Sequence, residues 1–324
     1  MDPTSTELPN PIADDADAHA SRFAGAVGAD GATDPAALLA LAVRTEGHGR
    51  YNLAKLLRAA AAAVVQRRAD ERLPEVPEGD DLVTLLTVVS DTWASDALLA
   101  PLAPSLRRAA LRLGDDTLPL MADAPDPRLC RRCGHLEADG HAPGACPHCL
   151  ADADTFFVQR PVWWLSAHDR EGALAALART PQRLRELLER VPRERWADRP
   201  EARTWSPHEV LVHLRDAQGV LARRVERLLE EDDPELDLAM VWTWTEAGRD
   251  DDTEALLAAY EGARQTVLQR LHAVPLADWR RTGRHQEFGR LTLTEQVSYF
   301  AAHEPTHLRQ VLAAVVRFGG GDAS

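Results

Sequence analysis

The chain has 324 residues, of which 45% are hydrophobic, so it is long enough for two or three packed domains. Its net charge of −14 argues against a role on nucleic acid or on an anionic membrane, because phosphates repel such a surface. Neither a signal peptide nor an apolar run that could span a bilayer is evident, and we expect a cytoplasmic protein without a membrane partner.

The first part of the chain is predicted to be helical after a disordered tail. Residues 1–34 are rich in Asp, Ala, Pro and Thr without periodicity, whereas apolar residues recur at helical spacings from 35 to 125. The stretch 51–61 resembles a rubrerythrin helix, but the Glu-x-x-His that should follow is absent. We therefore predict a degenerate ferritin-like helical domain over 35–125 that has lost its metal. That loss leaves no route for peroxide reduction of the rubrerythrin kind.

Four cysteines form two CxxC motifs: Cys130, Cys133, Cys146 and Cys149. Their clustering favours a four-thiolate metal site in a reducing compartment over disulfides or two reactive redox pairs. The segment 126–160 is similar to the rubredoxin-like module that ends rubrerythrins, with Gly134 at the first knuckle. Leu150 replaces the usual glycine of the second knuckle, and His135 replaces an aromatic residue. We therefore expect a structural zinc, although tetrahedral thiolates also accept iron.

The helical pattern returns beyond residue 165, and we predict a four-helix bundle over 165–318 in a chain that is mainly α. The expected helices run from the Thr180-Pro181 N-cap to about Val191, from the Ser206–Glu209 capping box to about Glu231, from Thr253 to His272, and from about Thr294 onward. The long connection over 232–252 holds Trp242 and Trp244, which are candidates for a wall of a ligand pocket.

Three histidines lie on or beside the apolar faces of two of these helices. His303 and His307 are spaced i, i+4 and project from one face, and His213 lies on the second bundle helix. A single half-buried histidine is ordinary, but two adjacent imidazoles on an apolar stripe need a shared partner. Three imidazoles from two helices would leave a divalent metal with an open position for water or substrate. The pattern therefore leaves two interpretations open: a site for zinc, nickel or iron that is built for chemistry, or three ordinary half-buried histidines.

The span 165–318 resembles the DinB family, a metal-binding four-helix bundle. The likeness is carried by Trp205–Leu214 and by His303–Gln310. It implies that His213, His303 and His307 hold a divalent metal, and that the protein acts on a small molecule. Characterised relatives are thiol-dependent S-transferases and isomerases, so a low-molecular-weight thiol is a candidate cosubstrate. A homodimer is a candidate assembly.

The segment His303–His307 also matches H-E-x-x-H, the zinc-protease motif in which the glutamate activates water. Pro305 within the helix counts against a protease, and so does the lack of a third ligand at a fitting downstream spacing. Glu304 should point about 100 degrees away from His303, which leaves it at most an outer-sphere role. Four residues are candidates for the mouth of the site: Trp244, Arg284, His285 and Gln286.

The sequence thus predicts a metal-dependent enzyme of DinB type. Its expected reaction is thiol-dependent S-transfer, or a related hydrolysis, at an electrophilic small molecule. The alternative is a non-catalytic metal-binding sensor or scaffold whose cysteine site is structural or responds to oxidation.

Overall fold

The computed structural model describes residues 34–72, 80–117, 119–138, 144–202, 204–236 and 251–319. The chain divides into two compact units, Met1–Glu78 and Gly79–Ser324. None of the helices described in these ranges is long and apolar enough to cross a membrane. The domain boundaries expected from the sequence stay predictions. Almost all of the expected tail, together with Trp242 and Trp244, lies outside the described residues.

In the first unit, helices α1 (Pro35–Gly47) and α2 (Tyr51–Arg72) pack against each other. Asp34 caps α1 by accepting a hydrogen bond from the amide of Ala37 at 3.0 Å. Gly49 joins the two helices with a φ of 72°, a conformation that glycine adopts without steric cost. The helical character predicted for this region is confirmed, and its likeness to a ferritin-like domain stays a prediction.

The second unit begins with α3 (Asp80–Trp93) and α4 (Ala103–Gly114), which pack against each other. A small antiparallel sheet follows, in which β1 (Arg128–Cys130) lies between β2 (Leu136–Glu137) and β3 (Phe156–Val158). Cys130 ends the central strand of this sheet, and the sulfur atoms of the other three cysteines lie within 4.8 Å of its own. The expected small cysteine module is therefore confirmed as part of the fold.

The C-terminal region is a four-helix bundle, as the sequence predicts. Its helices are α5 (Arg170–Leu188), α6 (Pro207–Glu230), α7 (Thr253–His272) and α8 (Leu293–Phe318). Helices α5 and α6 each pack against both α7 and α8, and apolar side chains from all four helices fill the core. The bounds expected for α6 and α7 agree closely with the structure, because capping residues and periodicity point to the same ends.

The sequence did not predict the three short strands beside the bundle. Strand β5 (Thr282–His285) pairs in parallel with β4 (Glu235–Leu236) and antiparallel with β6 (Gly289–Thr292). Thr292 ends β6 and also caps α8. The hairpin therefore leads directly into the helix that carries two of the histidines.

The predicted start of the first bundle helix at Thr180-Pro181 was wrong. Helix α5 begins at Arg170, where the carboxylate of Asp169 accepts a hydrogen bond from the amide of Gly172 at 2.7 Å. Pro181 lies inside the helix and has no N–H to offer the carbonyl of Leu177. Arg264 of α7 supplies the missing donor, with its Nη1 atom 2.7 Å from that carbonyl oxygen. A contact between helices thus overrides the local signal of a helix start.

The capping box at the start of α6 should contribute measurably to stability. Ser206 Oγ accepts from the amide of Glu209 at 3.2 Å, and the Glu209 carboxylate accepts from the amide of Ser206 at 2.8 Å. We expect Ser206→Ala to lower the free energy of unfolding by about 1 kcal/mol in urea denaturation, because one buried helix-end amide loses its acceptor. Ser95→Ala, which alters an exposed hydroxyl, is the control. Equal midpoints for the two variants would contradict this role of Ser206.

Candidate functional site

The structure brings His213, His303 and His307 together. His213 projects from α6 and the other two from α8, and the three rings each offer one nitrogen within 4.8 Å of the others. The Nε2 atoms of His303 and His307 are 2.8 Å apart. Two nitrogen lone pairs repel at that distance unless a proton or a cation lies between them. Among the residues that the structure describes, no Cys, Asp or Glu joins this group. The donor set therefore fits one divalent cation with a coordination position left open.

Burial keeps the three imidazoles in the neutral form that binds metal. Burial, together with the neighbouring imidazoles, lowers the pKa of His213 to about 2 and that of His303 to about 3. Burial also lowers the pKa of His307, while its hydrogen bond to Gln310 and the charge of Glu304 act in the opposite direction. Metal ligation requires neutral imidazole. Because these rings are already neutral near pH 7, a metal ion can bind without first displacing a proton from them.

Gln310 orients one of the three rings. Its Oε1 atom lies 2.9 Å from His307 Nδ1, so the ring N–H can donate there. This leaves the lone pair of His307 Nε2 facing the other histidines. Sequence reasoning missed Gln310, although its position one helical turn after His307 is a usable signal.

Three large aromatic rings wall the histidine group. The ring of Trp205 stacks on His307, with centroids 5.6 Å apart, and lies 5.1 Å from His213. Tyr299 stacks on His303 at 5.8 Å, and Trp164 meets the same ring edge-on at 5.3 Å. These walls reduce the access of water and give the site an apolar lining. The sequence signals Tyr299 by its position one turn before His303, whereas nothing local signals Trp164.

Glu304 turns away from the histidines and into the core. Its carboxylate accepts two hydrogen bonds from the guanidinium of Arg264, and Tyr260 Oη lies 3.5 Å from its Oε1 atom. Both charged side chains are buried. A carboxylate held in this way is poorly placed to activate water, which agrees with setting the protease motif aside. The negative charge of Glu304 acts to raise the pKa of His307, and this electrostatic effect is its link to the histidine site.

The residues predicted at the mouth have different surroundings. His285 is buried, and burial together with the charge of Arg224 lowers its pKa to about 4. Its ring stacks on Phe288 at 4.4 Å, and Phe288 in turn lies 5.6 Å from Tyr299, the ring that stacks on His303. Arg284 instead pairs with Glu235 at 3.1 Å, and Gln286 is exposed. Trp244 lies outside the described residues.

The four cysteines form a second compact group, with all four sulfur atoms within 4.8 Å of one another. Both knuckles have the same backbone pattern, in which the amides of Gly134 and Leu150 donate to the carbonyls of Cys130 and Cys146 at 2.9 and 2.8 Å. Burial of the Cys130 thiol raises its pKa, but hydrogen bonds from the backbone of Cys133 and Arg132 outweigh this and lower it to about 7. The lowered pKa of Cys130 favours the thiolate form that a metal ligand needs, whereas the pKa values of Cys133 and Cys149 are raised.

Leu150 adopts the conformation that glycine would take. Its φ is 59°, against 79° for Gly134 at the matching position, and its side chain is exposed. The departure from glycine that the sequence shows therefore leaves the knuckle intact, at a steric cost to the backbone.

We expect Leu150→Gly to stabilise the cysteine module by about 1 kcal/mol, since the left-handed conformation costs a leucine roughly 1–2 kcal/mol and glycine little. Thermal unfolding of the metal-loaded protein measures the change. Leu129→Gly, at an exposed leucine of extended strand β1, should have the opposite sign. A lower melting temperature for Leu150→Gly would refute the strain.

The fold and the grouped histidines define a class: a four-helix bundle with a three-histidine site that could hold a metal ion. Residues 176–311 match the sequence model of the DinB superfamily, and all three histidines lie within the match. Among solved structures, Bacillus subtilis YfiT is 18% identical with a TM-score of 0.42, over 46% of this chain and 86% of that chain. YfiT is described as a probable metal-dependent hydrolase with an unusual four-helix bundle topology. No curated protein matches the chain.

Proposed function

We propose that the C-terminal domain is a metal-dependent enzyme that acts on an electrophilic small molecule. Its reaction is transfer of a low-molecular-weight thiol to that molecule, or hydrolysis of it. The observation that carries the proposal is the convergence of His213, His303 and His307 without a further ligand among the described residues. A structural site would be expected to close its coordination sphere with a fourth protein group.

The divalent metal, when bound, would polarise a water or thiol and lower its pKa. The chain's own residues supply the surroundings for that chemistry. Trp205 and Tyr299 pack against the ligand rings and limit water, while Gln310 fixes the orientation of His307. An apolar wall beside a charged centre favours a substrate with an apolar body and a polar reacting group.

The cysteine group serves as a structural zinc site in this proposal. Four thiolates satisfy a tetrahedral ion completely, which leaves no position for a substrate. Free thiols at this spacing persist in a reducing compartment, so we place the protein in the cytoplasm. Neither nucleic acid nor membrane is a proposed partner, and a homodimer stays a proposal.

Metal analysis of the purified protein tests whether the two groups bind metal independently. We expect two metal ions per chain, with His303→Ala losing one and Cys130→Ser losing the other. Loss of a direct ligand should lower affinity by more than the 10–100-fold that loss of an outer-shell partner costs. His208→Ala is the matched control, because His208 is buried on α6 but bonds to Thr253 rather than joining the ligand group. Unchanged metal content in His303→Ala would refute the histidine site.

Turnover assays test the enzyme class. Epoxides, activated esters and unsaturated acids are offered with and without low-molecular-weight thiols, and loss of electrophile or thiol is followed. We expect metal-dependent turnover that His303→Ala abolishes and His208→Ala retains. Thiol dependence would identify an S-transferase, whereas turnover in water alone would identify a hydrolase. Absence of turnover by the metal-loaded protein with every compound of the panel would favour a sensor or scaffold.

A further inference from the structure

Arg264 is a cation at the centre of the bundle. It lies on α7 and is only 2% exposed. Its Nε atom donates to Gln218 of α6 at 2.6 Å, its Nη1 atom donates to the carbonyl of Leu177 of α5 at 2.7 Å, and both terminal nitrogens donate to Glu304 of α8. One side chain therefore bonds to each of the other three helices.

Glu304, the anionic partner of Arg264, lies between two of the histidines along α8. His303 precedes it by one residue, and His307 follows it by three, so all three side chains belong to the same turn. Fixing the direction of Glu304 therefore also fixes the directions in which His303 and His307 project.

That turn of α8 needs contacts from another helix to fix its orientation. Pro305 directly follows Glu304 and cannot donate to the carbonyl four residues earlier, so the helix lacks one of its own hydrogen bonds there. A turn with a missing bond rotates and bends more easily than a regular one. The bonds from Arg264 supply a restraint from the opposite helix at that point.

We propose that Arg264 is a positioning residue for the histidine site: through Glu304 it sets the orientation of the turn that presents His303 and His307 to His213. The inference rests on metal binding at these histidines, as the proposed function does. Arg264 acts on the ligands through Glu304 and takes no part in the chemistry.

A double apolar substitution can distinguish this positioning role of the Arg264–Glu304 pair from a role in packing alone. Replacing both members of such a pair by apolar residues of similar volume is often neutral for stability, because two buried charges no longer have to be desolvated. Apolar side chains have no directional bonds, however, and cannot fix the rotation of the turn. The double variant Arg264→Met/Glu304→Leu should therefore remain folded and bind metal poorly.

The experiment measures zinc affinity at the histidine site, by competition with a chelator, in full-length protein whose cysteine site is already loaded. We expect the double variant to bind zinc 10–100-fold more weakly, the cost typical of losing an outer-shell partner. The control is Arg270→Met/Glu226→Leu, which removes a part-exposed pair that also starts from α7 but joins it to α6 rather than to α8. This control should bind zinc as the wild type does. A folded double variant with an affinity within twofold of the wild type would overturn the proposal.

Gln218→Met provides a milder test should the double variant not fold. It removes the acceptor of Arg264 Nε while leaving both charges in place, and we expect zinc affinity to fall roughly tenfold. Wild-type affinity in this variant would then overturn the proposal.

Imidazole ¹H–¹⁵N spectra of the protein without metal in the histidine site separate failure of this inference from failure of the proposed function. In the double variant the resonances of His303 and His307 should shift and broaden, while those of His208 stay unchanged. If the wild type takes up no zinc at the histidines, the proposed function fails, and these spectra still decide whether Arg264 orients the rings. Unchanged ring resonances would overturn the inference.

Discussion

The buried ion pair between Arg264 and Glu304 is the constraint on which the interior of the bundle depends. Two charges removed from water must satisfy their hydrogen-bonding capacity inside the protein, and the guanidinium does so by bonding to the three other helices. Removing one partner alone would leave a buried charge, at a cost of about 3–5 kcal/mol. Helices α5 and α8 both contain a proline. Arg264 bonds to α5 at Leu177, four residues before Pro181, and to α8 at Glu304, the residue before Pro305. The pair thus holds together the helices that a proline interrupts.

The same interior creates the properties of the histidine group. Aromatic rings on both sides bury the imidazoles, and burial lowers the pKa values of all three. The cysteine group differs in kind. Burial raises the pKa of its Cys130 thiol but backbone hydrogen bonds lower it to about 7, and its four sulfur atoms lie within 4.8 Å of one another. Three nitrogen donors would leave a divalent ion a position for a further ligand, whereas four sulfur donors would not. In the proposed function, the histidine group is the site of chemistry and the cysteine group has a structural role.

The features of the fold that depend on local spacing can be predicted from the sequence. Periodicity and caps predict α6 and α7 nearly to their ends, and the i, i+4 spacing of His303 and His307 predicts their common face. The start of α5 is predicted wrongly because the Thr180-Pro181 signal is local. The donor that replaces the missing N–H of Pro181 comes from Arg264 on another helix. Trp164 and Arg264 escape prediction for the same reason, since their contacts join residues distant in the chain. The β5–β6 hairpin is too short to show a strand pattern.

The central claim is that three histidines from two helices share one metal ion and leave it a free position. Anomalous diffraction from crystals of the zinc-loaded protein, recorded on both sides of the zinc absorption edge, tests it most directly. We predict one peak among the four cysteine sulfurs and a second peak about 2.0–2.1 Å from one ring nitrogen each of His213, His303 and His307. The fourth position of the second ion should hold a non-protein ligand. A cysteine peak without a histidine peak, or a fourth protein ligand that closes the histidine site, would contradict the account.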